Sequence, residues 1–387
     1  MILPNIYAEK THYLDNSATT RVSDKACAKA VYIMQTKFGN PSSLHSIGFE
    51  AEEELDLARL AIAESLGVSA NEVIFASGGT EANNLAVLGG VCARRKLGNR
   101  VVTTSIEHSS VLEAMKYLSS VGFEVVFLKP DQNGAVAPEA FANAIDENTI
   151  FVSAMAVNNE LGSFMPIGLI ADLIKAKKAP ALFHCDAVQA YGKVKLTPKK
   201  HGIDLMTVSS HKVHGPKGTG ALYVKKGVKI LPRAFGGSQE LTLRPGTQGV
   251  PAICAFGAAV SEFSIEKNYL HIRKLNAYAR EALADIPEIT INSCPDCLPY
   301  VLNISTNAVK SETMMHFLAQ RNIFVSSGSA CKKGQKSYVL KEIGLPDSQI
   351  DTALRISFCK HNTIEDVDAL TEGIRTGIEN LAGVAVR

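Results

Sequence analysis

The sequence predicts an α/β chain, with a large domain on a mostly parallel sheet and a smaller α+β domain after it. Three observations carry this. Short β-rich runs alternate with stretches of helical periodicity, several of the runs are apolar almost without a break, and the texture changes after Pro251. The β-rich runs fall at 73–76, 101–104, 124–128, 149–157, 181–186, 204–208 and 221–224. Helical periodicity fills several of the intervals, at 51–66, 80–95, 110–120, 138–145 and 167–177. Such alternation indicates βαβ units and therefore parallel neighbours. Runs like FVSAMAV, ending at Val157, fit strands covered on both faces. Beyond Pro251 the pattern predicts one long helix from 252 to about 284, stopped by Pro287. Short strands at 300–304 and 354–358 and helices at 312–321 and 364–380 complete the smaller unit.

Composition excludes several classes of function. The 387 residues are 46% hydrophobic and 20% charged, so disorder is excluded and two or three domains are expected. Forty basic against thirty-eight acidic side chains leave +2, which gives no footprint for direct nucleic-acid binding or an anionic membrane. The start lacks a basic stretch followed by an apolar core, and no apolar run approaches the ~18 residues that span a bilayer. Eight cysteines lie mostly far apart, which predicts reduced thiols and a cytoplasmic protein.

In parallel α/β sheets ligands collect at the carboxyl ends of strands. Polar residues gather at five consecutive ends: Gly78-Gly79-Thr80, His108, Asn158-Asn159-Glu160, Asp186, and Ser209-Ser210-His211-Lys212. This is the expected crevice. Glycines before a threonine that opens a helix offer free N–H groups to an anion, although such a turn is also an ordinary helix start and does not have P-loop spacing. Lys212, just past a buried strand and beside Ser and His, is a candidate nucleophile toward aldehydes; a surface lysine in a glycine-rich loop is the bland alternative. A pyridoxal phosphate site needs a Schiff-base lysine, a carboxylate at the pyridine nitrogen and a phosphate cradle, and all three stand at consecutive strand ends.

From about 12 to 375 the sequence resembles the cysteine desulfurases, within the class V aminotransferases of the fold-type I pyridoxal-phosphate enzymes. The resemblance lies in YLDNSATT, FGNPSSLHSIG, SGGTEANNLAV, IEHSSVL, VNNELG, HCDAVQ, SSHKVHGPKG, RPGTQ and VSSGSACKKG. It implies a large cofactor-binding domain at 16–255, and a small domain made of 1–15 and 256–387. It makes Lys212 the Schiff-base lysine and Asp186 the partner of the pyridine nitrogen. Gln189 and Asn158 would touch the ring's phenolic oxygen, and His108 would stack on the ring and move protons. Gly79, Thr80, Ser209, Ser210 and His211 would hold the phosphate, with Thr247 reaching it from the other subunit of a homodimer. Arg355 would clamp the substrate carboxylate, with Asn158 also near the substrate. No metal is implied.

Cys331 is the sharpest expectation. A lone cysteine is usually a small buried hydrophobe, but Ser, Gly and two lysines flank this one, which suits an exposed thiolate on a loop. The resemblance implies that it attacks the sulfur of L-cysteine, leaving alanine and a persulfide for an acceptor protein. Cys294 and Cys297 form a CxxC read as a surface loop rather than a redox or zinc site. Cys185, Cys27, Cys92 and Cys254 read as packing, His45 as adjacent to substrate, and His184 and His214 as structural. Only five residues separate Cys331 from SYVL, and the sequence runs only to Arg387. Relatives that feed iron–sulfur scaffolds have more at both places, so a dedicated donor, for instance to a tRNA-thiolating enzyme, is the expectation beside iron–sulfur assembly. The rivals are a selenocysteine lyase or another pyridoxal-phosphate enzyme of this fold, and a non-catalytic sulfur carrier or docking protein.

Overall fold

The alternation closes into one seven-stranded sheet. The computed structural model describes residues 10–328 and 336–381. In chain order the first half runs β1 (His12–Tyr13), α1 (Asp24–Thr36), α2 (Ser46–Leu66), β2 (Val73–Ala76), α3 (Gly79–Arg94), β3 (Arg100–Thr104), α4 (Ser109–Ser120), β4 (Glu124–Leu128), α5 (Pro138–Ala144), β5 (Thr149–Met155), α6 (Ile167–Ala176), β6 (Leu182–Asp186), β7 (Leu205–Ser209) and β8 (Gly220–Val224). The rest is α7 (Val250–Val260), α8 (Ile265–Ala284), β9 (Thr290–Ile291), β10 (Val301–Ser305), α9 (Ser311–Ala319), β11 (Ile323–Phe324), α10 (Tyr338–Glu342), α11 (Asp347–Asp351), β12 (Ala353–Ser357) and α12 (Ile364–Leu381).

The large sheet has the order β2-β8-β7-β6-β5-β3-β4, and β8 alone runs against its neighbours. The other pairings, β3 with β4 and β5, β5 with β6, and β6 with β7, are parallel. Every residue of β5, β6 and β7 is buried, as continuous apolar runs require when helices cover both faces. At the edge, β4 leaves Glu124 and Phe127 exposed.

A second, antiparallel sheet has the order β12-β10-β9. The N-terminal segment is tied to it where Leu14 receives the Ser357 amide at 2.7 Å, and β1 pairs with β11 in a separate two-stranded sheet. Asp15 and Ser357 form a single bridge. Leu14 to Asn16 therefore link the smaller sheet to the crevice.

Two expectations are corrected. The long helix at 252–284 is two helices, α7 and α8, because the chain turns at 261–264. There Phe263 packs edge-on to Tyr191 at 5.2 Å and covers Gly192, whose missing Cβ would lie 2.7 Å from the ring. The reduced-thiol reading fails at Cys294 and Cys297, which the structure joins in a disulfide within the β9–β10 loop. The intervening Pro295-Asp296 turn brings the two together, with Cys297 buried. Cys185 and Cys254 are interior as expected, whereas Cys27 is exposed on α1 and Cys92 half-buried. Among the described residues no helix is long and apolar enough to cross a membrane.

Candidate active site

The carboxyl ends of β5, β6 and β7, the openings of α3 and α4, and Arg355 from the smaller sheet enclose a cavity of 690 Å³. Its wall includes Gly79, Thr80, His108, Asp186, Gln189, Ser209, His211, Lys212 and Arg355. Strand order explains the meeting. Asp186 ends β6, Ser209 ends the neighbouring β7, and Lys212 closes the 3₁₀ turn that follows.

Lys212 lies half-buried, its amine donating to the carbonyls of Ser17 at 2.6 Å and Ala18 at 2.8 Å. Asp186 is almost wholly buried, and its two oxygens are fixed separately. Oδ2 accepts from the Asn83 amide at 2.8 Å, and Oδ1 accepts from the Val188 N–H at 3.0 Å. Gln189 donates to Ser17 O at 3.0 Å. His108 caps α4, its Nδ1 receiving the Ser110 N–H at 3.2 Å, which orients the imidazole at the cavity edge. His211 is held to Thr19 Oγ1 at 3.2 Å, and its pKa is pushed down to about 4 by burial and then by Lys212, Lys217 and Lys193, so the ring is neutral near pH 7.

The cradle is at the start of α3. Gly78 and Gly79 bring the chain close to β8 and to the turn after β6, so a Cβ on Gly79 would lie 3.1 Å from Val188 Cγ2, and one on Gly220 would lie 2.9 Å from the Gly78 Cα. The hydroxyls of Ser209 and Ser210 are buried without a hydrogen-bond partner among the described residues. Buried hydroxyls are normally satisfied. The Ser209 orphan, on the cavity wall beside a helix N-terminus, fits a phosphoester, and a fixed carboxylate across the same cavity fits a protonated ring nitrogen. The residues present thus fit pyridoxal phosphate.

Arg355 sits on β12 with almost no exposure. One guanidinium nitrogen donates to Asp15 Oδ1 at 2.9 Å, and another donates to Gly328 O at 2.8 Å and Asn159 O at 3.1 Å. Its Nε is buried without a partner among the described residues. A cation so fastened, with unused donor capacity beside the cavity, suits a carboxylate.

Asn158 requires a correction. Its side chain does not face the cavity: Oδ1 accepts from the amides of Glu160 and Leu161 at 2.9 and 3.0 Å, and Nδ2 donates to Ile106 O at 3.1 Å. The side chain is spent on closing its own turn, and the neighbouring Asn159 lines the wall instead. His45 is likewise displaced, capping α2 through Gly48 N and exposed to solvent. Ser210 lies behind the wall, and Thr247 is exposed and absent from this cavity's lining. Cys331 lies outside the described residues. His184, fully buried between Ser153 and Thr207, is structural as expected.

Reading the sequence assigned no part to Asn83, Ser17 or Glu107, although each stands inside a quoted motif. Asn83 fixes Asp186, and Ser17 supplies the carbonyl shared by Gln189 and Lys212. Glu107, beside His108, is fully buried, and Oε1 takes Thr104 Oγ1 and Met155 N, each at 2.8 Å. Burial pushes its pKa up to about 8, against those two hydrogen bonds, with Asp186 adding to the rise. The folded chain therefore keeps the neutral acid. Its contribution to stability is full below the ordinary carboxyl range and is lost as pH rises toward 8. Glu107→Gln, which mimics the neutral acid, should match wild type near pH 4.5 and become relatively more stable up to pH 8, by on the order of 1 kcal/mol per pH unit. Thermal melts of the apo-protein across that range would show it; parallel curves would exclude a buried neutral Glu107.

Comparisons with known proteins agree with this architecture. The family model for class-V aminotransferases matches residues 12–370. The cysteine desulfurase IscS of Methanosarcina thermophila is 39% identical over 381 residues, covering 97% of this chain and 94% of its own. That of Vibrio vulnificus is 38% identical over 379 residues, covering 95% and 93%. A solved NifS-like protein superposes with a TM-score of 0.91 at 36% identity, over 96% of this chain and all of that one. The structure of SspA in complex with cysteine does so with a TM-score of 0.81 at 31% identity, over 92% and 100%.

Proposed function

The chain belongs to the class-V aminotransferase family, in its NifS/IscS group of fold-type I pyridoxal-phosphate enzymes, and from that premise we propose that it is a cysteine desulfurase. The reaction is L-cysteine plus the Cys331 thiol giving L-alanine plus a Cys331 persulfide, balanced in atoms and electrons without an external oxidant. The observation that carries the reading is the meeting of Lys212, Asp186, His108 and Arg355 on one cavity wall. Bound there, pyridoxal phosphate supplies an electron sink for the carbanion at the substrate Cα.

Lys212 would hold the cofactor's aldehyde carbon, and its amine would take and return the proton at the substrate Cα. Asp186, anchored by Asn83, would pair with the pyridine nitrogen. The α3 N-terminus with Ser209 and His211 would bind the phosphate. His108 would lie on the ring and carry protons, and Gln189 would donate to the phenolic oxygen. Arg355 would fix the α-carboxylate and so aim the substrate sulfur. Cys331 would take that sulfur and pass it to an acceptor, an iron–sulfur scaffold or a tRNA-thiolating enzyme. Thr247 would complete the site of a second copy. Support for a homodimer comes from exposed apolar side chains on α1, α2 and the segment between them, including Met34, Phe38, Leu44, Phe49 and Leu57.

The test is an absorbance spectrum after reconstitution with pyridoxal phosphate, repeated on adding L-cysteine with alanine assayed. A cofactor band that responds to cysteine and yields one alanine per sulfur supports the proposal. Cofactor uptake without alanine would end the desulfurase reading. The clamp has its own test: Arg355→Lys keeps the charge but loses the planar fork, and should raise KM for cysteine about tenfold or more with a smaller change in kcat. An unchanged KM would remove Arg355 from substrate binding.

A further inference from the structure

Among the described residues Lys193 is the only lysine in the interior. The turn after β6 puts it there. Ala190 and Tyr191 both donate to Ala187 O, and Gly192 takes a left-handed φ of 70° under the Phe263 ring. Gln189 and Lys193, four residues apart, thus lie on one side of a single turn. The Lys193 amine donates to Gln189 Oε1 at 2.9 Å, Gln189 Nε2 donates to Ser17 O at 3.0 Å, and the same carbonyl receives Lys212 at 2.6 Å. Behind this chain lies a second cavity of 40 Å³, reached by both Lys193 and Lys212.

No carboxylate among the described residues pairs with that amine. Facing it are Lys212 and His214 after β7, Glu262 after α7, Tyr300 before β10, Cys359 and Lys360 after β12, and Arg355 on β12. Tyr300 offers its ring at 5.7 Å, while Glu262 is hydrogen-bonded by Ser23. Burial, then the charges of Lys212 and Arg355, push the Lys193 amine down to about 7. An uncompensated buried amine is costly, and an apolar residue of similar length would be neutral or better for stability. Its use must therefore lie elsewhere than in holding the fold.

We propose that Lys193 is a positioning residue: it turns the Gln189 carboxamide oxygen inward and its NH₂ toward the cofactor cavity, and it places positive charge behind Lys212. In its protonated form, which prevails below about pH 7, the amine has donors only and accepts no other orientation of the amide. Charge repulsion is reciprocal, so Lys193 favours the unprotonated nitrogen at Lys212. This rests on the cofactor reading given above.

The experiment uses the full-length chain with free pyridoxal phosphate as probe, and compares wild type with Lys193→Met. The variant should keep or raise the apo-protein Tm. It should bind pyridoxal phosphate about threefold or more weakly, and the pH midpoint of the bound-cofactor absorbance should move upward by about half a unit or more. Lys193→Arg, which keeps donors and charge, should restore the midpoint. If the Met variant fails to fold, Lys193→Gln reads the loss of charge by the same upward shift. In a Gln189→Leu background Lys193→Met should no longer weaken cofactor binding, since it acts through that amide. A folded Met variant with wild-type affinity and midpoint overturns the inference alone, as does a full effect in the Gln189→Leu background. A wild-type chain that takes up no pyridoxal phosphate overturns the cofactor reading and this inference together.

Discussion

Lys212→Ala is expected to lower alanine production from cysteine by on the order of 10⁴-fold or more, and to leave the cofactor bound only through its phosphate and ring contacts. The size follows from two tasks on one nitrogen, the covalent hold on the cofactor and the movement of the Cα proton. The change should not unfold the chain. The amine's hydrogen bonds to Ser17 and Ala18 end on backbone carbonyls beside the cavity, which water can satisfy once the amine is gone. Their loss should cost about 1–3 kcal/mol. Lys212→Arg separates nucleophile from charge, since a guanidinium keeps both charge and donors but is not a nucleophile at neutral pH. It should be as inactive as the alanine variant, with a Tm near wild type. Wild-type turnover by Lys212→Arg would show that neither task belongs to this residue. Borohydride reduction followed by peptide mapping gives a second readout, in which the cofactor should be fixed to the peptide containing Lys212 and to no other.

The strands that place this chemistry were legible because burial on both faces leaves a simple pattern. Val73–Ala76 and Glu124–Leu128 form as expected, β6 starts one residue later than the expected run, and β7 is shifted by one residue at both ends. Strand ends then place Asp186 and Lys212 side by side whatever the loops do. What stayed hidden depends on contacts distant in sequence. Helix α1, with only Ala26 and Ile33 buried, has too thin an apolar stripe to announce itself. The break between α7 and α8 is set by Phe263 reaching a turn about seventy residues earlier, which no local pattern encodes. Asn158 and Asn159 are chemically identical neighbours, and only the closure of the turn decides which one faces the cavity. Cys294 and Cys297 carry no local signal that separates a surface loop from a bridge, whereas in the fold the turn at Pro295-Asp296 brings them together.

Cys331→Ala should keep the cofactor, its spectrum and the spectral response to cysteine, yet lose alanine and sulfur release by on the order of 10³-fold or more. The reason is chemical. Among the described residues that line the cavity none is a thiol. Cys185 and Cys359 are too enclosed to serve, and burial pushes both thiols above their ordinary value. Cys254 is also buried, with its thiol pushed up to about 12, and Cys27 and Cys92 stand on α1 and α3 away from the wall. The remaining described pair, Cys294 and Cys297, is joined in a disulfide. Removing Cys331 should therefore leave substrate bound in a competent cavity with no acceptor for its sulfur. Added dithiothreitol tests that logic: a small thiol able to enter the cavity should restore part of the alanine yield without restoring a protein persulfide. Desulfuration by Cys331→Ala at the wild-type rate, with no added thiol, would place the sulfur acceptor elsewhere and dissolve the proposed reaction.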